Sequence, residues 1–213
     1  MSISLPCVFD AYHTWYYDSE VWTTTTWLGV PAMKSVQDLW LHQEVINDLR
    51  PGLIVECGVR FGGSTLYYAS ILDQIGSGTL LGVDIDLSAV DQRVTDHPRV
   101  ELLEVSSNAS IVAARIRSSR GDRPVFVVLD SNHSRDHVYA ELETITPSLR
   151  VGDYVIVEDS NINGHPVRPG WGPGPWEAVE NFIADHPDIY EHDRARESKF
   201  GWTFAPNGFL TRL

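Results

Sequence analysis

Leu53-Ile-Val-Glu-Cys-Gly-Val-Arg-Phe-Gly-Gly-Ser64 decides how the rest of the chain reads. Apolar residues run into Glu56. A loop holding Gly58, Gly62 and Gly63 follows, and Ser64 to Leu72 reads as a helix. This is the pattern of a buried parallel strand, a glycine-rich turn and a helix N-terminus. Glycine lets backbone N–H groups approach a ligand that a Cβ would hold away. The spacing is Glu-x-Gly-x-x-x-Gly-Gly-Ser, with Arg60 where a dinucleotide fingerprint has its second glycine, so a pyrophosphate is disfavoured.

An acid at the strand end also favours a ligand with an ammonium group. S-adenosylmethionine carries an ammonium, a carboxylate and a ribose, and no phosphate; the helix N-terminus can take its carboxylate. Gly78-Thr-Leu-Leu-Gly-Val-Asp84 is a second apolar strand ending in an acid, where a nucleotide fold sets a carboxylate against ribose hydroxyls. The competing readings are a tight turn with no ligand, and an Asp84 that only caps the next helix.

The 213 residues suffice for one domain with a full core. A net charge of −13 argues against a nucleic-acid partner, which demands a basic surface. There is no apolar run of membrane-spanning length. The N-terminus lacks the basic flank and apolar core of a signal peptide, so a cytoplasmic protein is expected. Only Cys7 and Cys57 are present, and Cys57 lies inside the buried motif, which argues against a disulfide and fits a reducing compartment.

Outward from the motif, residues 1–33 form an arm crowded with Tyr12, Trp15, Tyr16, Tyr17, Trp22 and Trp27, without clear periodicity and with a β-prone run at Thr23 to Thr26. The arm either lines a substrate pocket or packs on its own domain or a second subunit; the latter fits a homodimer. The main domain is expected over 34–213. Ser35-Val-Gln-Asp38 reads as a capping-box variant opening a helix to about Leu49. Strands are expected at 53–57, 79–84, 100–105, 124–130 and 153–158. Helices are expected at about 64–75, 88–95, from a Ser106-Ser107-Asn108 cap to 119, 134–149 and 175–186. Asn161 to Trp176, rich in Gly and Pro, is long enough for a lid, and its Trp171–Trp176 run reads equally as a gate or a stiff loop. Gly201 to Ala205 and Phe209 to Arg212 read as a hairpin across the Pro206-Asn207-Gly208 turn. The alternation predicts a doubly wound, mainly parallel seven-stranded α/β sheet with an antiparallel C-terminal hairpin.

Ligands of such sheets bind beyond the carboxyl ends of the strands. Strands one, four and five should be neighbours there, so Asp130, Glu158 and Asp159 should converge. Three carboxylates in one pocket need a compensating cation. All-oxygen ligation points to Mg²⁺ rather than to separate solvated acids. In Asp130-Ser-Asn-His133 the histidine falls where it can face the same site as a general base, Asp130 and His133 then being the catalytic pair. His133 and His137, four apart on a helix, also resemble a zinc pair, but no third His or Cys stands nearby.

These stretches, together with Val157-Glu-Asp159, Gly172-Pro-Gly-Pro175, Lys34-x-x-x-Asp-Leu-Trp40 and the closing Gly-Phe-Leu-Thr-Arg212, resemble the cephalosporin hydroxylase and rhamnosyl O-methyltransferase family over roughly residues 34–213. The family consists of metal-dependent class I methyltransferases with a Rossmann-like fold. The resemblance implies that Glu56, Gly58 and Ser64 hold the methionine end of the cofactor, Asp84 the ribose, and that Ser107 lies near the adenine. It also implies Mg²⁺ on Asp130, Glu158 and Asp159, with His133 as base. The expected function is O-methylation of a sugar hydroxyl on a small-molecule or oligosaccharide substrate. A catechol-type acceptor, a β-lactam hydroxylase component and a non-methylating binding protein are the alternatives; Arg60 disfavours a nicotinamide oxidoreductase.

Overall fold

The computed structural model describes residues 5–213, and side chains from residue 8 onward. In chain order the elements are α1 (Leu5–Asp18), β1 (Thr26–Trp27), β2 (Val30–Pro31), α2 (Val36–Leu49), β3 (Leu53–Cys57), α3 (Gly63–Ile75) and β4 (Thr79–Asp84). Then come α4 (Gln92–Thr95), β5 (Val100–Glu104), α5 (Ser110–Ser119), β6 (Val125–Leu129), α6 (Arg135–Ile145) and β7 (Tyr154–Val157). The chain closes with α7 (Pro175–Asp185), β8 (Tyr190–His192), α8 (Arg194–Glu197) and β9 (Phe209–Arg212).

The main sheet runs β5-β4-β3-β6-β7-β9-β8, parallel up to β7 and antiparallel beyond it. Every residue of β3, β6 and β7 is buried, as strands covered on both faces require. Their side chains alternate between two cores. Val55, Cys57, Val127 and Leu129 pack under α5, α6 and α7, against Ile116, Leu142 and Phe182. Ile54, Phe126, Val128 and Ile156 pack under α2 and α3, against Leu41, Ile46, Tyr68 and Leu72. The strand order reverses between β3 and β6, the switch point where a doubly wound sheet opens its ligand crevice.

The antiparallel edge differs from the expected hairpin. The strand beside β9 is β8, while Gly201 to Ala205 stays irregular. The reason is Asp38: its carboxylate accepts from Thr203 Oγ1 (2.5 Å) and from the Phe204 backbone N–H (2.9 Å), so this stretch bonds to α2 instead of to a strand. For the same reason no capping box forms at Ser35, which caps α2 without a side-chain bond. The helix expected over 88–95 shrinks to α4, opened by Asp91, whose side chain accepts from Arg93 N. The Ser106–Asn108 cap is also absent: α5 starts after Ala109, with Ser106 bonded to Asn108 and Ser107 turned elsewhere. Helix α6 gives way at Ile145 to a 3₁₀ turn over Thr146–Ser148, where Pro147 has no N–H for a helical bond.

The arm is more regular than its composition suggests. Tyr16 and Tyr17 of α1 pack with Trp202, Phe204, Ile162 and Val167, covering the C-terminal stretch of the same chain. His13, 3% exposed, accepts from the Asn161 side-chain amide (2.8 Å), and burial holds its imidazole down at about 4. The Thr23–Thr26 run opens as a 3₁₀ turn rather than a strand. Thr23, Thr24 and Thr25 hydroxyls each donate to the carbonyl three residues back, the local bond that competes with strand pairing.

Candidate active site

A cleft of about 710 Å³ opens at the carboxyl ends of β3, β4, β5 and β6, within the range of small-molecule sites. The glycine loop forms its floor. Gly58 sits at φ +97°, and a Cβ there would strike the carbonyl of Asp130; glycine is what lets the β3 loop lie against the end of β6. Asp84 anchors the loop from the other side, its Oδ2 accepting from Val59 N (2.9 Å) and Arg60 N (2.8 Å). Gly58, Ser64, Asp84 and Ser107 all line the cleft. Glu56 does not. It is 0% exposed beneath the loop, with Oε2 accepting from Thr65 Oγ1 (2.5 Å) and Oε1 without a hydrogen-bond partner among the described residues. Burial pushes its carboxyl up to about 7.

Asp130, at the end of β6, and Asp159, just past β7, reach the cleft with His133. One ligand atom from each of the three lies within 4.8 Å of the others, a spacing suited to one cation. His133 Nε2 stands 3.2 Å from Asp159 Oδ2. Asp159 sits at φ +53°, a left-handed conformation that Asp tolerates. Burial first, and the nearby Asp130 and Glu158 charges next, push its carboxyl up to about 6 against the lowering influence of His133.

Glu158 is not gathered with them. It is 4% exposed, and its Oε1 lies 3.2 Å from Lys34 Nζ and 3.3 Å from His42 Nε2, behind the cleft. His133 takes the third place that the sequence assigned to Glu158. Lys34, itself 4% exposed, also donates to Asp130 Oδ2 at 2.7 Å, and His42 Nδ1 is 2.7 Å from Tyr68 Oη. Burial alone would drive the Lys34 ammonium down, but Asp130 and Glu158 hold it well above the usual lysine range.

Lys34 and His42 are residues whose part the sequence reading missed. A signal existed: five acids at strand ends and one lysine just ahead of a helix leave a charge imbalance that some cation must meet. His137 turns away from His133 toward Ser107 and Ser131, so the two do not form a zinc pair. The 161–176 loop is braced throughout, which favours the stiff-loop reading. His165 stacks on Trp176 at 4.2 Å and bonds Glu177, Glu177 accepts from Gly174 N, and Asn163 accepts from Gly172 N. Arg168 lies over the Tyr17 and Trp171 rings, tying the loop to α1.

This sheet order, with a glycine loop at the switch point and acids on the neighbouring strand ends, defines a class I methyltransferase. Residues 19–213 match the family described as Rhamnosyl O-methyltransferase/CmcI. A rhamnosyl O-methyltransferase of Mycobacterium bovis BCG is 49% identical over 208 residues, covering 96% of this chain and 85% of that protein. One from Mycobacterium leprae is 46% identical, covering 96% and 90%. A solved structure of CmcI with Mg and SAM superposes with a TM-score of 0.72 over 90% of this chain and 77% of that one; at 20% identity it establishes the shared fold. The chain belongs to the rhamnosyl O-methyltransferase/CmcI family, and it is a methyltransferase. Among the described residues no helix is long and apolar enough to cross a membrane.

Proposed function

We propose that this methyltransferase moves the methyl group of S-adenosylmethionine to a hydroxyl of a sugar, with a divalent cation, Mg²⁺ by the sequence reading, held at Asp130 and Asp159. The observation that carries this is the meeting, in one cleft, of the glycine loop with the Asp130–His133–Asp159 cluster. The likeness to rhamnosyl O-methyltransferases supports a deoxyhexose such as a rhamnosyl unit as acceptor.

The residues fit both groups. Glu56 Oε1 is a buried, unpartnered carboxylate oxygen under the loop, suited to the positive charge of the cofactor's methionine end. Ser64, in the first turn of α3, offers the helix N-terminus to its carboxylate beside the Gly58 loop, and Asp84 Oδ1, which takes no part in anchoring that loop and accepts from Asp86 N at 3.3 Å, can also receive ribose hydroxyls. Asp130, Glu158, Asp159 and Glu56 are four acids around one ammonium, Lys34; burial first, and the neighbouring acids after it, raise the carboxyls of Glu56 and Asp159.

The sulfonium supplies an electrophilic methyl and the cation supplies Lewis acidity at the acceptor oxygen. A sugar hydroxyl remains a weak nucleophile, so its proton needs a receiver. His133 Nε2 is that receiver, and Asp159 beside it stabilises the imidazolium once the proton arrives. A second reading, favoured by the 4.8 Å spacing, makes His133 a ligand of the cation.

The test is direct. Purified protein is titrated with S-adenosylhomocysteine by calorimetry, then incubated with S-adenosylmethionine and rhamnosides, with and without chelator, and the products are weighed by mass spectrometry. Cofactor binding with chelator-sensitive addition of one methyl group is expected. Binding without transfer to any sugar or catechol would instead favour a non-methylating role.

A further inference from the structure

Lys34 stands between the arm and α2, and its ammonium is buried among acids of the cleft. The turn that aims it is built locally. Met33 is left-handed at φ +54°, and the Thr25 hydroxyl accepts from the Lys34 backbone N–H at 3.1 Å. The Thr25 carbonyl accepts from Ala32 N at 2.9 Å, so the β1–β2 pair of the arm holds the backbone that carries the lysine. Ala32 and Met33 line the cleft, while the Lys34 side chain turns inward beneath them.

An ammonium has three protons to give and no means of accepting. Lys34 donates to Asp130 Oδ2 at 2.7 Å and to Glu158 Oε1 at 3.2 Å. Each carboxylate thus lends one oxygen to the lysine and keeps the other. Asp130, which lines the cleft, keeps Oδ1.

The number of oxygens a carboxylate can offer decides which ion it suits. Ca²⁺ gathers about six to eight oxygens and often takes both from one carboxylate. Mg²⁺ demands a near-ideal octahedron, whose right angles the narrow bite of a single carboxylate does not span, and it keeps several waters. An ion on both oxygens of Asp130 would stand against the ammonium already bonded to Oδ2. Two positive charges would then lie side by side where water screens them poorly. Approach through Oδ1 alone avoids that contact.

We propose that Lys34 sets the ion specificity of this site: by occupying Asp130 Oδ2 and Glu158 Oε1 it limits each acid to a single oxygen, and so favours a small octahedral ion, Mg²⁺ or Mn²⁺, over Ca²⁺. This rests on the reading of the cleft as a cation site. Lys34 is a positioning residue in it, acting through the two carboxylates.

The experiment requires no turnover. Mn²⁺ binding to the purified chain is followed by the electron paramagnetic resonance signal of the free ion, and Ca²⁺ is added as competitor. The wild type is expected to bind Mn²⁺ at least about tenfold more tightly than Ca²⁺, and Lys34→Met should lower that ratio by about tenfold. Lys34→Gln keeps an N–H donor and loses the charge; it serves where the methionine variant does not fold, and should shift the ratio the same way. A lysine that only supported the fold would change the affinity for both ions alike and leave the ratio where it was. A wild-type ratio near one, or a ratio kept by a folded variant, overturns the proposal and leaves the cation reading standing. Binding of neither ion by the wild type overturns the cation reading and this one with it.

Discussion

Glu158 and Asp159 share a peptide bond and lie in different electrostatic regions. Glu158 continues the extended line of β7 inward, where Lys34 and His42 meet it out of reach of solvent. Asp159 turns left-handed and faces the cleft with His133 and Asp130. One region is balanced by the protein's own cation; the other is left with a surplus of negative charge for a cation from outside. Asp130 belongs to both, with Oδ2 on Lys34 and a place in the cleft cluster. The difference teaches that a run of acids in sequence is not yet a ligand set. The backbone turn between two neighbours decides which one the solvent side receives.

Four substitutions probe that division. Asp130→Asn has the largest expected effect because it touches both regions: turnover should fall on the order of 10³-fold, several kcal/mol of barrier. Mn²⁺ titration should show weakened binding alongside. Unchanged turnover would detach the cation from the reaction. His133→Asn should lower turnover by about 10²-fold, the low end of what losing a general base costs, while Mn²⁺ affinity stays near wild type, the signature of a base. Affinity lost together with turnover would move His133 into the ligand set.

Lys34→Met strips the sealed region of its ammonium and leaves Glu158 with His42 alone. Breaking a buried pair from one side costs about 3–5 kcal/mol, measurable by urea unfolding. A loss below about 1 kcal/mol would mean that the pair behaves like an exposed one.

The smallest effect is a change of slope. Burial, and then the Glu158 charge, push the Asp38 carboxyl up to about 7. The folded chain keeps this proton over a range where the unfolded chain has released it. The stability it contributes is therefore present at acid pH and is lost as pH rises through about 7. Asp38→Asn should flatten the fall of the thermal midpoint between about pH 5 and 7; an identical slope would show that Asp38 titrates normally.

The sheet was legible because β3, β4, β6 and β7 carry runs of apolar residues that only burial on both faces explains, each closing on an acid. The glycine loop was legible because each of its glycines stands where a Cβ would collide: Gly58 with the Asp130 carbonyl, Gly62 with Val94 and Gly63 with the Pro31 carbonyl. What escaped reading depends on contacts far apart in sequence. Asp38 looks like a cap until Thr203 and Phe204 arrive to claim it. Gly201 to Ala205 alternates like a strand, yet β8 takes the place beside β9. Glu158 cannot be told from Asp159 by type or position, because a single left-handed residue separates their directions. The helix in the arm was hidden by aromatic residues whose spacing follows the surface of Trp202 and Phe204 rather than one stripe.

That contact also sets a schedule for biosynthesis. Helix α1 leaves the ribosome well before Trp202 and Phe204, the rings it packs on. At about 5–20 residues per second, roughly ten to forty seconds pass before they exist. Through that interval Tyr16 and Tyr17 lack these partners, so a nascent chain of this protein is expected to need shelter from chaperones over α1 until the rings have emerged.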